Sequence, residues 1–167
     1  MITSPDRRLL LNQLLLSHPS HFLALGFGSG LPRIAPGTFG TLAAVPLFLI
    51  LLSTPELAHY VVIALLFLLG IPICTRTGRA LGVSDHGSIV WDEIVAFMLV
   101  LEFTPLSWHW WLAAFILFRL FDIWKPFPIR QFDVRLKGGF GVMFDDLLAA
   151  GYAILALKGL QWLVMTY

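Results

Sequence analysis

Apolar runs alternate with short polar segments along most of the chain. The runs cover residues 41–53, 60–74, 94–101, 110–121 and 147–164. Several are shorter than the roughly 20 residues that an α-helix needs to cross a bilayer. We therefore expect flanking residues to complete some helices and others to be broken. The pattern predicts an all-α fold, a small polytopic bundle of membrane helices with short or broken spans.

The N-terminal part of the chain is more mixed in character. Its leucines share one helical stripe, at Leu9, Leu10, Leu14 and Leu15. This stripe predicts an amphipathic, peripheral segment over residues 1–25 that lies on the membrane surface. The remainder, residues 26–167, is predicted to be one membrane-embedded domain.

A stretch rich in glycine and proline occupies residues 26–40. This composition predicts a loop without regular helix. Glycines let backbone N–H groups approach a phosphate closely, which would make the loop part of a binding site. The alternative is a re-entrant turn with no chemical role.

The composition agrees with a membrane location. Hydrophobic residues make up 58% of the chain and charged residues only 13%, whereas a soluble domain carries about 25% charged residues. The net charge of +1 gives no case for a nucleic-acid partner. Cys74 is the only cysteine, which excludes an internal disulfide and a Cys-x-x-Cys zinc site. We predict no signal peptide.

The basic residues are distributed unevenly between the two predicted sides. If each apolar run crosses once, residues 1–40, 75–93 and 122–146 share a side. Ten of the eleven Lys and Arg residues lie on or at the edge of that side, and only Lys158 does not. The positive-inside rule makes it the cytoplasmic side. Tryptophans such as Trp91 lie near run ends, as interfacial anchors do.

Carboxylates gather on the same predicted side, although hydropathy alone defined it. They are Asp92, Glu93, Asp122, Asp145 and Asp146. Mg²⁺ prefers oxygen ligands and is usually held by a few carboxylates together with phosphate and water. The five acids are therefore predicted to be metal ligands and catalytic groups. The alternative for each adjacent pair is a place in the first turn of a helix, where the helix dipole favours negative charge.

The central stretch adds positive charge to this side. Arg119, Asp122 and Lys125 are three residues apart, so they share one helical face and can point into one cavity. Pro126 predicts that the helix ends near Trp124 or Lys125. Cations beside a metal site indicate a phosphate ester, and the membrane indicates a lipid. Lys125 could instead be a membrane anchor, and Arg119 could pair with Asp92 or Asp145.

The charged residues bear on three classes of function. A lipid phosphatase uses both the acids and the two cations. A non-enzymatic cation-binding or carrier protein would use the intramembrane acids, but it has no use for Arg119 and Lys125. A transferase of phospho-alcohol groups would carry a DGxxAR…GxxxDxxxD signature, which is absent. His86 could be a general base or a loop histidine with a structural hydrogen bond.

Five segments together resemble the phosphatidylglycerophosphatase A family. They are 26–30 (GFGSG), 36–38 (PGT), 85–93 (DHGSIVWDE), 118–133 (FRLFDIWKPFPIRQFD) and 138–146 (GGFGVMFDD). The resemblance covers nearly the whole chain from about residue 20 and is specific in order and spacing. It implies a helical, Mg²⁺-dependent enzyme of the bacterial inner membrane. Such an enzyme removes the terminal phosphate of phosphatidylglycerophosphate to give phosphatidylglycerol.

The resemblance also implies roles for individual residues. The five acids and Lys125 would form the catalytic site, with the acids as the metal ligands. Substrate binding would fall to Gly37, Thr38, His86, Arg119 and Arg130. The implied partners are the lipid substrate and the surrounding membrane lipids, and the oligomeric state stays open.

Overall fold

The structure is a computed structural model that describes the backbone of residues 4–166 and the side chains of residues 9–164 and 166. All of the regular elements in that range are helical, which confirms the all-α prediction. They are α1 (Ser4–Ser17), α2 (Pro19–Ala24), a 3₁₀ turn (Gly26–Gly28), α3 (Pro36–Leu51), α4 (Glu56–Leu81), α5 (Trp91–Glu102), α6 (Trp108–Trp124), α7 (Ile129–Arg135) and α8 (Gly138–Thr166).

Two of these helices are long and apolar enough to cross a membrane, judged by length and composition. They are Glu56–Leu81 and the part of α8 that covers Gly138–Val164. The other apolar helices are shorter, with 16 residues in α3, 12 in α5 and 17 in α6. A small helical membrane protein with short spans fits these lengths.

The shortest of the apolar helices, α5, forms the centre of the bundle. Its side chains are buried on nearly every face, as expected for a helix that is hydrophobic all round. It packs against α3, α4, α6 and α8. Both ends of α5 carry acidic residues, so its position fixes where those acids meet the neighbouring helices.

Glycines allow the helices of the bundle to approach closely. A Cβ at Gly139 would lie 2.7 Å from the backbone nitrogen of Thr75, and the Gly139 N–H donates a hydrogen bond to Thr75 Oγ1 at 3.0 Å. A Cβ at Gly40 would lie 2.6 Å from the Cβ of Val90. These contacts join α8 to α4, backbone against backbone, and α3 to the Val90 side chain just before α5.

The predicted glycine-rich loop is only partly a loop, so that prediction was wrong for residues 36–40. α3 begins at Pro36, a position where a helix does not need the missing N–H of proline. The segment that follows the apolar run 60–74 is also partly helical, because α4 continues to Leu81 and carries Arg76 and Arg79.

The polar stretch over residues 123–144 is not a continuous loop. It contains α7 and the beginning of α8, which starts at Gly138. Asp145 and Asp146 therefore lie beyond the first turn of α8. The favourable effect of a helix N-terminus falls off within that turn, so it does not stabilise these two carboxylates.

Trp91 is a core residue and not an interfacial anchor. Its side chain is only 3% exposed, and its Nε1–H donates a hydrogen bond to the Leu66 carbonyl oxygen at 3.2 Å. Trp108, Trp124 and Trp162 are each more than 60% exposed, as interfacial residues would be. The hydrogen bond of Trp91 ties the start of α5 to the middle of α4.

Within the predicted peripheral segment, the two helices differ. On α1, Leu9 and Leu10 are exposed while Leu11 is buried. The following helix, α2, packs against α4, where His21 Nδ1 lies 2.8 Å from Thr77 Oγ1. The boundary between residues 25 and 26 stays a prediction.

Candidate metal and phosphate site

Three carboxylates from two helices meet in the interior. Asp92 and Glu93 lie in the first turn of α5, and Asp146 projects from α8. One oxygen from each residue lies within 4.8 Å of the others. Asp92 is 7% exposed and Asp146 is 3% exposed. We call these three residues the carboxylate cluster.

The carboxylate cluster has unsatisfied oxygens. Asp92 Oδ1, Glu93 Oε2 and Asp146 Oδ2 are buried and have no hydrogen-bond partner among the residues that the structure describes. Buried negative charge without partners is strongly unfavourable. A divalent cation such as Mg²⁺ takes carboxylate oxygens as ligands and would supply the missing partner. The residues present therefore fit a hard divalent metal ion.

Arg119 borders the carboxylate cluster from α6. Its guanidinium NH1 lies 2.6 Å from Asp122 Oδ2 and 3.5 Å from Glu93 Oε1. The alternative pairing of Arg119 with Asp92 or Asp145 is not what these contacts show. Asp122 itself reaches Asp146, so α6 contributes a fourth acid and one cation next to the cluster.

Lys125 holds a second group of charges together. It follows the end of α6, with the left-handed φ of 46° that closes the helix there, which confirms the predicted helix end. Its Nζ contacts Asp145 Oδ2 and lies 3.1 Å from Asp133 Oδ1. Burial alone would lower the pKa of Lys125, but these two carboxylates outweigh burial and raise the pKa above its usual value. Lys125 is therefore a persistent cation.

The two groups of charges are neighbours because Asp145 and Asp146 are consecutive residues. Asp146 faces the carboxylate cluster, and Asp145 faces Lys125. Adjacent residues on a helix point about 100° apart, so α8 can serve both groups at once. The site therefore has an acid-rich half and a half organised by Lys125.

Gly37 approaches the acid-rich half from the start of α3. A Cβ at this position would contact Glu93 Oε1 and would lie 2.9 Å from Arg119 NH1 and 3.0 Å from NH2. No side chain caps this end of α3, and exposed N–H groups at a helix N-terminus favour anions. The structure thus brings Gly37 to the site, where a Cβ would displace the ends of the Glu93 and Arg119 side chains.

The sequence model of one protein family, described as phosphatidylglycerophosphatase A, matches residues 22–161. That span contains every charged residue of both halves of the site. The chain belongs to the phosphatidylglycerophosphatase A family. As a member of this family, it is an enzyme of the phosphatase class.

Curated relatives agree with the family match. The Haemophilus influenzae protein named phosphatidylglycerophosphatase A is 53% identical over 91% of this chain and 94% of that protein. The Escherichia coli K12 protein of the same name is 43% identical over 90% of each chain. A Bacteroides thetaiotaomicron protein, provisionally named as a phosphatidylinositol-3-phosphatase, is 36% identical over 85% of this chain and 93% of its own length. No solved structure matches the chain.

Three residues that the family resemblance assigned to substrate binding are not members of the carboxylate cluster. Thr38 donates its backbone N–H to the Ala35 carbonyl oxygen at 3.0 Å. Arg130 is exposed on α7 and lines a surface pocket of about 670 Å³ with Lys125. His86 Nδ1 accepts a hydrogen bond from the Ser88 backbone N–H at 3.2 Å. The roles of these three residues in substrate binding stay predictions.

Asp133 is the charged residue of the site that was missed as a candidate from the sequence. It lies on α7 and shares Lys125 with Asp145. A signal was available, because Asp133 is the last residue of the 118–133 segment that carries the family resemblance. It was overlooked because it belongs to no adjacent acidic pair and opens no apolar run.

Proposed function

We propose that this enzyme hydrolyses phosphatidylglycerophosphate to phosphatidylglycerol and inorganic phosphate, and that it depends on Mg²⁺. The substrate is the one named by the family and by the Haemophilus influenzae and Escherichia coli relatives. The observation that carries the proposal is the set of unsatisfied, buried oxygens on Asp92, Glu93 and Asp146. A phosphatase that acts on a negatively charged lipid headgroup needs positive charge beside the phosphate, and these oxygens could hold a metal ion that supplies it.

Each residue of the acid-rich half has a role in this proposal. Asp92, Glu93 and Asp146 would hold the metal ion, which when bound neutralises phosphate charge and makes water a stronger nucleophile. Arg119 offers guanidinium N–H groups to phosphate oxygens, and its Nε has no partner among the described residues. Asp122 fixes the orientation of Arg119 through their 2.6 Å contact.

The half organised by Lys125 would act on the other side of the phosphate. Lys125 can donate a hydrogen bond to the leaving oxygen and so stabilise the negative charge that grows there, because its side chain is cationic and partly exposed. Asp133 and Asp145 keep Nζ in place. Interactions that strengthen in the transition state raise kcat, so this residue is expected to affect turnover more than substrate affinity.

A cation carrier is a poorer explanation of the same geometry. Arg119 lies 3.5 Å from Glu93, which puts a permanent positive charge beside a proposed ligand. That charge repels a cation in transit but attracts a phosphate group. The fixed cation therefore favours the phosphatase.

We also propose that the enzyme resides in the bacterial inner membrane with the site at the cytoplasmic face. The uneven distribution of Lys and Arg supports this orientation. Single cysteines at Val83 and Pro55 test it, since both positions are exposed and lie on opposite predicted sides, and the native Cys74 is buried. In intact cells, an impermeant thiol reagent should label Pro55→Cys and spare Val83→Cys. The reverse labelling would put the site on the other face.

The reaction itself is tested with purified enzyme and phosphatidylglycerophosphate in mixed micelles. We expect phosphate release that EDTA abolishes and added Mg²⁺ restores. The matched variant is Glu102→Gln, which removes a buried acid far from the site and should leave the EDTA response unchanged. Full activity after EDTA treatment and dialysis would contradict the metal dependence, and no release at all would contradict the substrate.

A further inference from the structure

An apolar groove of about 340 Å³ runs between α4, α5 and α8. Its lining includes Tyr60, Ala64, Leu68, Asp92, Leu99 and Met143. Asp92 supplies the one carboxylate among the lining residues, and the other side chains are hydrophobic or aromatic. The groove is therefore apolar where the metal and phosphate site is charged, yet the two share Asp92.

The contacts between helices give the groove a direction. Trp91 at the start of α5 bonds to the Leu66 carbonyl oxygen, so the groove residue Leu68 lies at the level of Asp92. Tyr60 and Leu99 lie toward the opposite end, since α4 and α5 run antiparallel. The eight steps along the helix from Tyr60 to Leu68 span about 12 Å. One end of the groove thus meets the charged site, and the other end is apolar.

The groove borders a surface suited to lipid. Leu65 and Leu68, on the same helix, are 59% and 60% exposed. They belong to α4, one of the two helices apolar enough to cross a membrane. In a bilayer, this side of the protein faces hydrocarbon, so an acyl chain could enter the groove sideways without passing through water.

We propose that the groove binds one fatty acyl chain of the lipid whose phosphate occupies the site. The inference rests on the proposed function and adds the place where the substrate's hydrophobic part is recognised. Its argument is continuity, because Asp92 lines the groove and also belongs to the carboxylate cluster. When the phosphate of a lipid lies at the carboxylate cluster, the acyl chains of the same lipid molecule begin beside the mouth of the groove. Burying one of these chains contributes binding free energy.

The test compares substrates that share a headgroup and differ in chain length. Ala64→Trp fills the middle of the groove and should raise KM for dioleoyl phosphatidylglycerophosphate about tenfold with little change in kcat. The dibutyryl substrate, which is too short to use the groove, should keep its wild-type KM. Leu65→Trp is the matched control, because it adds the same side chain to the neighbouring position outside the groove, and both KM values should be unchanged.

A second variant tests how far along the groove the acyl chain extends. Leu99→Trp blocks the apolar end, so it should raise KM for the dioleoyl substrate but not for the dioctanoyl substrate. A separate measurement needs no variant: wild-type enzyme is irradiated with a lipid phosphate that carries a diazirine at the end of one acyl chain. The label should appear near Tyr60 and Leu99, at the apolar end of the groove, and excess unlabelled dioleoyl substrate should remove it.

Two results would overturn the groove while the proposed function stands. In one, the wild type is active and Ala64→Trp has the same KM for the dioleoyl substrate as the wild type, which is expected if a lipid other than the substrate fills the groove. The other is photolabel found only outside α4, α5 and α8. A wild type that releases phosphate from neither the dioleoyl nor the dibutyryl substrate would overturn both the groove and the proposed function.

Discussion

α5 buries carboxylates at both of its ends, in two different ways. At the C-terminal end, Glu102 Oε1 lies 2.9 Å from His59 Nδ1, and both side chains are less than 10% exposed. His59 Nε2 lies 3.0 Å from the Thr54 carbonyl oxygen, and its ring packs against Phe48. Glu102 thus lies within ion-pair distance of one basic residue, although these two atoms do not meet hydrogen-bond geometry, and that residue is itself anchored.

At the N-terminal end of α5, acids outnumber cations. Arg119 contacts Glu93 and Asp122, but Asp92 and Asp146 make no ion pair with any described residue. The helix dipole stabilises carboxylates at 92 and 93 and opposes one at 102, yet it is Glu102 that has a matched partner. The comparison teaches that acids exceed cations at the N-terminal end alone, among the described residues of α5 and its neighbours, and this surplus is what the proposed metal ion would balance.

The largest expected effect on turnover comes from removing one buried acid at each end of α5 and comparing the two variants. Asp146→Asn should lower turnover by about a hundredfold or more, because a metal ligand is lost, and it should leave the melting temperature in detergent unchanged or higher, because repulsion is relieved. Glu102→Gln should instead lower the melting temperature and leave turnover per folded molecule near wild type. Phosphate release and thermal melting of both variants check this. If Asp146→Asn is destabilised but still active, Asp146 has the same structural role as Glu102 and the contrast between the two ends of α5 does not hold.

Lys125 sharpens the comparison within the site. Lys125→Ala should lower kcat/KM by about fiftyfold, mainly through kcat, because a charge-assisted contact to the transition state is lost. Lys158→Ala is the control, since it removes the one lysine of the opposite end, which contacts Gln161, and it should be nearly silent. Steady-state kinetics decide the matter. Unchanged kcat/KM with poorer membrane insertion would instead make Lys125 an anchor.

Gly37 tests how tightly the site is assembled. Gly37→Ala should lower turnover on the order of tenfold, because the new Cβ displaces Glu93 and Arg119 and small displacements of catalytic groups are costly. Gly151→Ala on α8 adds a Cβ where nothing lies within 4 Å, so it should keep full turnover. If both variants have the same turnover, Gly37 is not in the site.

The sequence and the structure agree best on the acids. Hydropathy and the Lys/Arg distribution placed Asp92 and Asp146 at one end of the bundle, since both signals depend only on the order of residues along the chain. The contact of Gly37 with Arg119 is different in kind, because it joins α3 to α6 and depends on the packing of whole helices. No local pattern contains that information.

Local composition was misleading at the start of α8. The three glycines at 138, 139 and 141 argue against a helix when propensity alone is considered. The structure has a helix there because Gly139 packs closely on α4 at Thr75, so tertiary contact outweighs propensity. The same packing moves Asp145 away from the first turn, which is why its partner is Lys125 and not the helix dipole.

The smallest expected effect concerns pH. The folded-state pKa of Lys125 is raised, so its contribution to stability is fully present below the unfolded pKa of about 10.4 and is lost only as pH rises through the folded value. The difference in melting temperature between wild type and Lys125→Ala should therefore be constant from about pH 7 to 9. A difference that shrinks within this range would show that Lys125 is not held as a cation.

The central claim is that the carboxylate surplus at the N-terminal end of α5 binds a divalent metal ion. Electron paramagnetic resonance with Mn²⁺ on the purified protein tests it without any substrate. Wild type and Glu102→Gln should both bind Mn²⁺ in a form that Mg²⁺ displaces, while Asp92→Asn and Asp146→Asn should bind much more weakly. Equal Mn²⁺ binding by all four proteins, or by none of them, would contradict the account.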